Sequence, residues 1–176
     1  MANIKWVLDP THSEIVFKVK HMMISNVKGE FTDFDIEIDG EDIHTADVKV
    51  RIKADSITTK NADRDGHLKS EDFFDTANYP ELIFDSTEVT KVDDEEYKLK
   101  GLFTIKGIAK EIELDVEFGG IGKDPWGNEK AGFTVSGKIN RKDWGLNWNA
   151  ALETGGVLVS DEVKFNAEVQ FVKQVS

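Results

Sequence analysis

Along most of the chain apolar residues recur at every second position, the spacing of a strand with one dry and one wet face. In "SEIVFKVKH" Ile15, Phe17, Val19 and His21 share a face opposite Glu14, Lys18 and Lys20, with Val16 the exception. In "FTDFDIEID" Phe34, Ile36 and Ile38 oppose Asp33, Asp35, Glu37 and Asp39. In "ADVKVRIKA" Ala46, Val48, Val50, Ile52 and Ala54 oppose Asp47, Lys49, Arg51 and Lys53. The same alternation predicts strands in "PELIFDSTEV", "YKLKGLFTIK", "IAKEIELDVEF", "KAGFTVSGKIN" and "EVKFNAEVQFV", and a short one in "IKWVLD". Helical periodicity is scarce.

Charge patterning suggests how some strands pair. An antiparallel match of the second and third segments sets Glu37 opposite Lys49, Asp35 opposite Arg51 and Asp33 opposite Lys53, each pair worth about 0.2–1 kcal/mol. It also sets Asp39 opposite Asp47 at the solvated end. A two-residue turn at Gly107-Ile108 predicts a second hairpin, with Phe103 opposite Ile112, Leu99 opposite Val116, Lys100 opposite Asp115 and Lys98 opposite Glu117. The strands predict an all-β domain with minor α, either a sandwich or a closed barrel. Alternation leaves both open. An eight-stranded barrel would have room for one small ligand.

One stretch breaks the alternation. "RDGHLKSEDFFDTANYP" gathers Arg64, Asp65, His67 and Asp72 beside Phe73 and Phe74. It predicts a short helix from Arg64 to Asp75, capped by Asp65, with Pro80 launching the next strand. His67 oriented by Asp65 or Asp72 would be a general base. Alternatively, Arg64, Asp65 and Asp72 form an ion-pair clasp that ties the helix to the sheet, or the cluster meets a ligand's head. No nucleophile elbow or HExxH spacing accompanies it, and His12, His21, His44 and His67 lie in four separate segments, so no enzyme activity and no metal are expected. His21 is either a hydrogen-bonded core residue or a ligand contact, and Met22 and Met23 beside it suit an adaptable apolar cavity or a plain core. Trp144, Leu146 and Trp148 share a parity and predict a ridge that seals a barrel end or forms a lipid-contacting lid.

The 176 residues suit one domain spanning 1–176. With 22 Lys and Arg against 34 Asp and Glu, the net charge of −12 argues against nucleic acid and against anionic lipid surfaces on average. Cysteine is absent, so disulfides and thiolate chemistry are excluded. No run of 18 apolar residues and no signal-like start occur, so no stable membrane insertion and a cytoplasmic location are expected, or a periplasmic one if a leader has been removed.

Four stretches carry a resemblance: "WVLDPTHSEIVFKVKHMMISNVKGEF", "RDGHLKSEDFFDTANYPELIFDST", "GLFTIKGIAKEIEL" and "INRKDWGLNWNAALETGGVLVSDEVK". From about Trp6 to about Phe171 the chain resembles the YceI-like family of polyisoprenoid-binding proteins. The resemblance implies an extended eight-stranded antiparallel lipocalin-like β-barrel, with a helical insertion near 64–75. It implies an apolar tunnel for an isoprenoid lipid, a polyprenyl phosphate or an isoprenoid quinone, with no other cofactor. It also implies a homodimer and, for many relatives, a periplasmic setting. With the alternation, it assigns the tunnel lining to Phe17, Val19, His21, Phe34, Ile36, Val48, Val50, Phe84, Leu99, Phe103, Phe133 and Phe165. Arg64, His67 and Arg141 are the candidates for a polar head. The expected function is a soluble lipid carrier. The alternatives are an enzyme acting on such a lipid through His21 or His67, and a filled barrel that binds a protein partner.

Overall fold

The computed structural model describes residues 4–21, 24–40, 42, 44, 46–146 and 159–175, with the side chains of Ile4, His21 and Val175 outside that description. The alternating segments form one antiparallel sheet: β1 (Ile4–Leu8), β2 (Glu14–His21), β3 (Ser25–Phe31), β4 (Phe34–Asp39), β5 (Asp47–Lys53), β6 (Ile57–Thr58), β7 (Glu81–Lys91), β8 (Glu96–Ile105), β9 (Ile108–Lys123), β10 (Glu129–Asn140) and β11 (Glu162–Val175). The order β1-β4-β5-β7-β8-β9-β10-β11 returns to β1 through its pairing with β11, so eight strands make a closed barrel. The remaining three segments prolong barrel strands at one end. β2 follows β1 along β11, β3 leads into β4, and β6 follows β5. Closure through β1 and β11 removes the two edges that an open eight-stranded sheet would leave.

The interruption between β1 and β2 has a local cause. Pro10 lacks an N–H and opens a 3-10 turn over Pro10–His12. Asp9 caps that turn by accepting from the Thr11 N–H at 3.1 Å and from its hydroxyl at 2.6 Å. Lys130 Nζ on β10 reaches the same carboxylate at 3.0 Å, which pins the interruption to the barrel wall.

The register expected for β4 and β5 is present: Asp35 faces Arg51, Glu37 faces Lys49 and Asp39 faces Asp47, while the Lys53 N–H donates to the Asp33 carbonyl at 2.9 Å. Lys49 Nζ leans instead toward Asp85 on β7, at 3.7 Å. The β8–β9 hairpin is displaced by two residues from expectation. Its turn is Lys106-Gly107, Phe103 faces Lys110, Leu99 faces Leu114, Lys100 faces Glu113 and Lys98 faces Asp115. Both registers keep the same side chains inside, so alternation does not separate them. The turn does: Lys106 and Gly107 have φ of 52° and 74°, the pair of positive values that a type I′ turn requires.

The insertion also differs from expectation. The helix α1 spans Ala62–Leu68, and its cap is Asn61, which accepts from the Arg64 N–H at 3.0 Å. Asp65 lies inside the helix, and residues beyond Leu68 continue as turns up to Pro80. An acceptor one residue before the first helical position captures a free N–H, which Asp65 is placed too late to do. Among the described residues no helix is long and apolar enough to cross a membrane.

Candidate functional site

The inward faces of the strands do not meet. They enclose a cavity of about 640 Å³ that runs from α1 to the opposite end of the barrel. That volume lies within the usual range for small-molecule sites. Toward the end far from α1, Trp6, Ile36, Ile38, Ala131, Val169 and Phe171 pack together in the wall. The middle is walled by side chains such as Phe84, Leu99 and Leu114, with Phe103, Val135 and Phe165 packed on them.

Small residues keep the lumen open. Phe165 faces Gly137 across β10 and β11, and Phe17 faces Gly29 across β2 and β3. A Cβ on Gly137 would stand 2.8 Å from the Phe165 ring, so the ring lies flat over the space that a side chain would otherwise fill. Large inward phenyl groups thereby cover the wall rather than plug the barrel.

The expected lining residues Phe17, Val19, Ile36, Val48, Val50, Phe84, Leu99, Phe103, Phe133 and Phe165 all border this cavity. Phe34 does not. The interruption at Thr32 and Asp33 turns it toward a small separate hollow shared with Pro10, Ser13 and Phe31, where it packs between two core clusters. The side chain of His21 lies outside the described residues, as do Met22, Met23 and Trp148. Trp144 and Leu146 are the described members of the expected ridge. Both are buried against Ile57, Leu82 and Ile105, and Trp144 Nε1 donates to the Phe103 carbonyl at 2.8 Å.

Arg64, His67 and Arg141 are brought to the α1 end, where the exposed residues Lys20, Asn61 and Asp63 also border the cavity and open it to solvent. The clasp there is built on Thr59, which is 6% exposed. Asp65 Oδ1 accepts from the Thr59 N–H at 2.8 Å and from its hydroxyl at 2.5 Å. Arg64 Nε donates to the Thr59 hydroxyl oxygen at 2.8 Å, and Nη2 donates to its carbonyl at 3.1 Å. Burial opposes the charge on Asp65, but the two Thr59 hydrogen bonds, with Lys69 and Arg64 nearby, hold its carboxyl below the usual range. The helix is thus tied to the end of β6 by a threonine-centred network rather than by the expected Arg64–Asp65–Asp72 cluster. Asp72 belongs to a separate pair, 2.9 Å from His67 Nε2.

Arg141 has a structural assignment. Its Nε donates to the Ser160 carbonyl at 2.9 Å, Nη1 to Leu146 at 2.5 Å and Nη2 to Val159 at 3.3 Å. Burial pushes its pKa down, and Asp161 at 4.0 Å counters part of that. The guanidinium also lies 6.0 Å over the ring of Phe73, and that ring is 5.1 Å from His67. Arg64 is the better placed of the two arginines to meet a guest, because its Nη1 has no partner among the described residues.

Sequence reasoning missed Thr59, Lys20, Asn61 and Asp63 at this end, and His44 and Tyr97 at the other. His44 is 2.9 Å from Asp42 and stacks on Tyr97 with ring centroids 5.8 Å apart. Tyr97 stands at an inward position of its alternating segment, a signal that identifies it as lining. Nothing in the local pattern marks Thr59 or His44. Among the described residues no group of three His, Asp or Glu side chains is placed to hold a metal.

The chain was compared with known proteins. A model of the YceI-like domain matches residues 6–171. A UPF0312 protein of Staphylococcus aureus is 44% identical over 169 residues, which cover 94% of this chain and 96% of the relative. The crystal structure of a Campylobacter jejuni YceI protein superposes with a TM-score of 0.75 at 38% identity, covering 87% of this chain and 88% of that one. A polyisoprenoid binding domain from Saccharophagus degradans shares the fold at a TM-score of 0.66 and 16% identity, covering 97% of this chain and 99% of that one. The closed barrel, its α1 insertion and these matches over nearly the whole length place the chain in the YceI-like domain family.

Proposed function

We propose that this protein binds an isoprenoid lipid in the barrel lumen and carries it, with the tail in the apolar tunnel and the head at the α1 end. The observation that carries this reading is the segregation of the lining. Aliphatic and phenyl groups occupy the length of the cavity, the charged groups Lys20, Asp63 and Arg64 gather with Asn61 and His67 at the α1 end, and His44 and Tyr97 border the other. An isoprenoid has the matching shape, a flexible apolar rod with one polar terminus. Each buried methylene contributes about 0.8 kcal/mol, so tail burial supplies most of the affinity. The fold shared with the Saccharophagus degradans domain supports a guest of this class.

Arg64 is the donor for the head, through Nη1. A quinone carbonyl or a phosphate oxygen would accept from it. The neighbouring Asp63 and the net charge of −12 favour the neutral quinone. The protein is a binder in this reading, and its guest leaves chemically unchanged.

The test is organic extraction of protein purified from its native host, followed by mass spectrometry. A stoichiometric isoprenoid is expected, and its head distinguishes quinone from phosphate. Phe103→Asp, which sets a carboxylate in the lumen, is expected to empty the extract while the barrel stays folded. An unchanged lipid content in that variant would place the guest elsewhere. A lipid altered on incubation with the wild type would replace the carrier with an enzyme, for which the His67–Asp72 pair is the candidate acid and base.

A further inference from the structure

The outer wall near the α1 end carries a row of like charges that the rest of this acidic molecule does not prepare for. Lys138 on β10 faces Lys164 on β11, Lys164 faces Lys18 on β2, and Lys18 faces Lys28 on β3. Four lysines therefore stand side by side across four adjacent strands, all exposed. Neighbouring strands are about 4.8 Å apart, so the ammonium groups share one short band. Like charges directly opposite one another destabilise a sheet. No ion pair joins any of the four to a carboxylate among the described residues. The salt bridges on this side join Asp161 to Lys142 at 3.4 Å and to Arg141 at 4.0 Å. The acids beside the band are Asp161 and Glu162 toward the opening, Glu30 on the other side, and Asp115 on β9, which faces Ser136 and pairs with Lys98.

Two further features lie next to the band. Lys20, two residues beyond Lys18 on β2, borders the opening of the cavity. Ile24, on the turn between β2 and β3, is 83% exposed. A row of cations, with a projecting aliphatic side chain on the β2–β3 turn further along the strands and the opening of an apolar tunnel beside it, has the composition of a membrane-surface contact. The cations meet anionic head groups and the aliphatic group enters the interface. The acidic remainder of the barrel would be repelled by the same surface and so would turn this side toward it.

We propose that the lysine row Lys18, Lys28, Lys138 and Lys164, with Ile24, is the docking face of the barrel on an anionic bilayer. Docking there brings the tunnel opening to the lipid from which the guest is taken or to which it is returned. The inference takes its purpose from the lipid-carrier reading, but its test reads vesicle binding alone and needs no guest in the tunnel.

The experiment is co-flotation with vesicles of phosphatidylcholine, with and without phosphatidylglycerol, at low and high salt. Binding is expected only to the vesicles containing phosphatidylglycerol and is expected to disappear at high salt, because the contact is screened. Lys18→Glu combined with Lys164→Glu is expected to weaken partitioning by at least about tenfold. Both positions are exposed and the exchange relieves repulsion, so the thermal midpoint should hold or rise. The milder pair Lys18→Gln and Lys164→Gln should weaken binding to a smaller degree. Ile24→Asp should lower binding while leaving the tunnel intact. Failure of the wild type to bind at low salt would overturn the proposal. Undiminished binding by the double variants would do the same, as would binding to a soluble polyanion such as single-stranded DNA but not to the vesicles. Each of these results would leave a lipid found by extraction untouched.

Discussion

Asp9 does at one residue what the rest of the barrel does with whole strands. It accepts from the Thr11 N–H and hydroxyl, lies 2.9 Å from His12 Nδ1 and holds Lys130 across the wall. The Thr11 hydroxyl is the largest influence on its carboxyl, and with His12 and Lys130 it overcomes burial and keeps the pKa well below the usual carboxylate range. A carboxyl whose folded-state pKa is depressed stabilises the fold fully above its unfolded value of about 3.9, and that contribution vanishes as pH falls through the lowered folded value. Asp9→Asn should therefore cost about 1–3 kcal/mol at neutral pH. The gap in thermal midpoint between wild type and variant should narrow below about pH 4. A gap that stays constant down to strongly acid pH would remove the charge from this account. Thr59 makes a comparable case at the clasp. Thr59→Val keeps the shape but strips the hydroxyl from Asp65 and Arg64, and urea unfolding should register a loss of about 1–3 kcal/mol.

At the scale of elements, the inward glycines of β8 and β10 separate two kinds of close approach. A Cβ on Gly137 would meet the far ends of Phe165 and Leu114, at 2.8 and 2.9 Å, and both side chains can yield into the lumen. On Gly101 it would stand 2.3 Å from the Asp85 carbonyl oxygen, beside the register shift of β7 between Ser86 and Glu88. Backbone cannot step aside in the same way. Gly137→Ala is expected to fold with little change in thermal midpoint but to bind a fluorescent polyprenyl probe more weakly, because the displaced ring narrows the tunnel. Gly101→Ala is expected to lose about 1–3 kcal/mol by overpacking. Equal stability loss in the two variants would contradict the distinction between ring and backbone.

For the whole molecule, the open lumen has a thermodynamic consequence. An empty apolar cavity forgoes the contacts that a filled core makes, so a guest bound only to the folded barrel raises its stability by mass action. Protein purified with its lipid should melt above the same protein after delipidation, by the equivalent of about 2.7 kcal/mol when the guest is present at a hundred times its dissociation constant. Adding an isoprenoid quinone back should restore the midpoint, whereas equal midpoints with and without lipid would count against an occupied tunnel.

Alternation alone determined which side chains face inward on every strand where it was strong. Phe17, Val50, Phe84, Phe103, Phe133 and Phe165 follow the strand period of two, which depends only on the chain. The charge pattern also indicated the β4–β5 register that the barrel adopts. What alternation left open was decided by contacts distant in sequence. Closure of the barrel rests on five residues of β1 meeting the end of β11, and the two-residue slip of the β8–β9 hairpin preserves every face and is decided by the backbone of its turn. Phe34 obeys its parity yet misses the cavity because the sheet bends at Thr32 and Asp33. The importance of Thr59 and the lysine row exists only once the barrel sets those residues beside their neighbours, since four lysines from four segments form a band only through strand pairing.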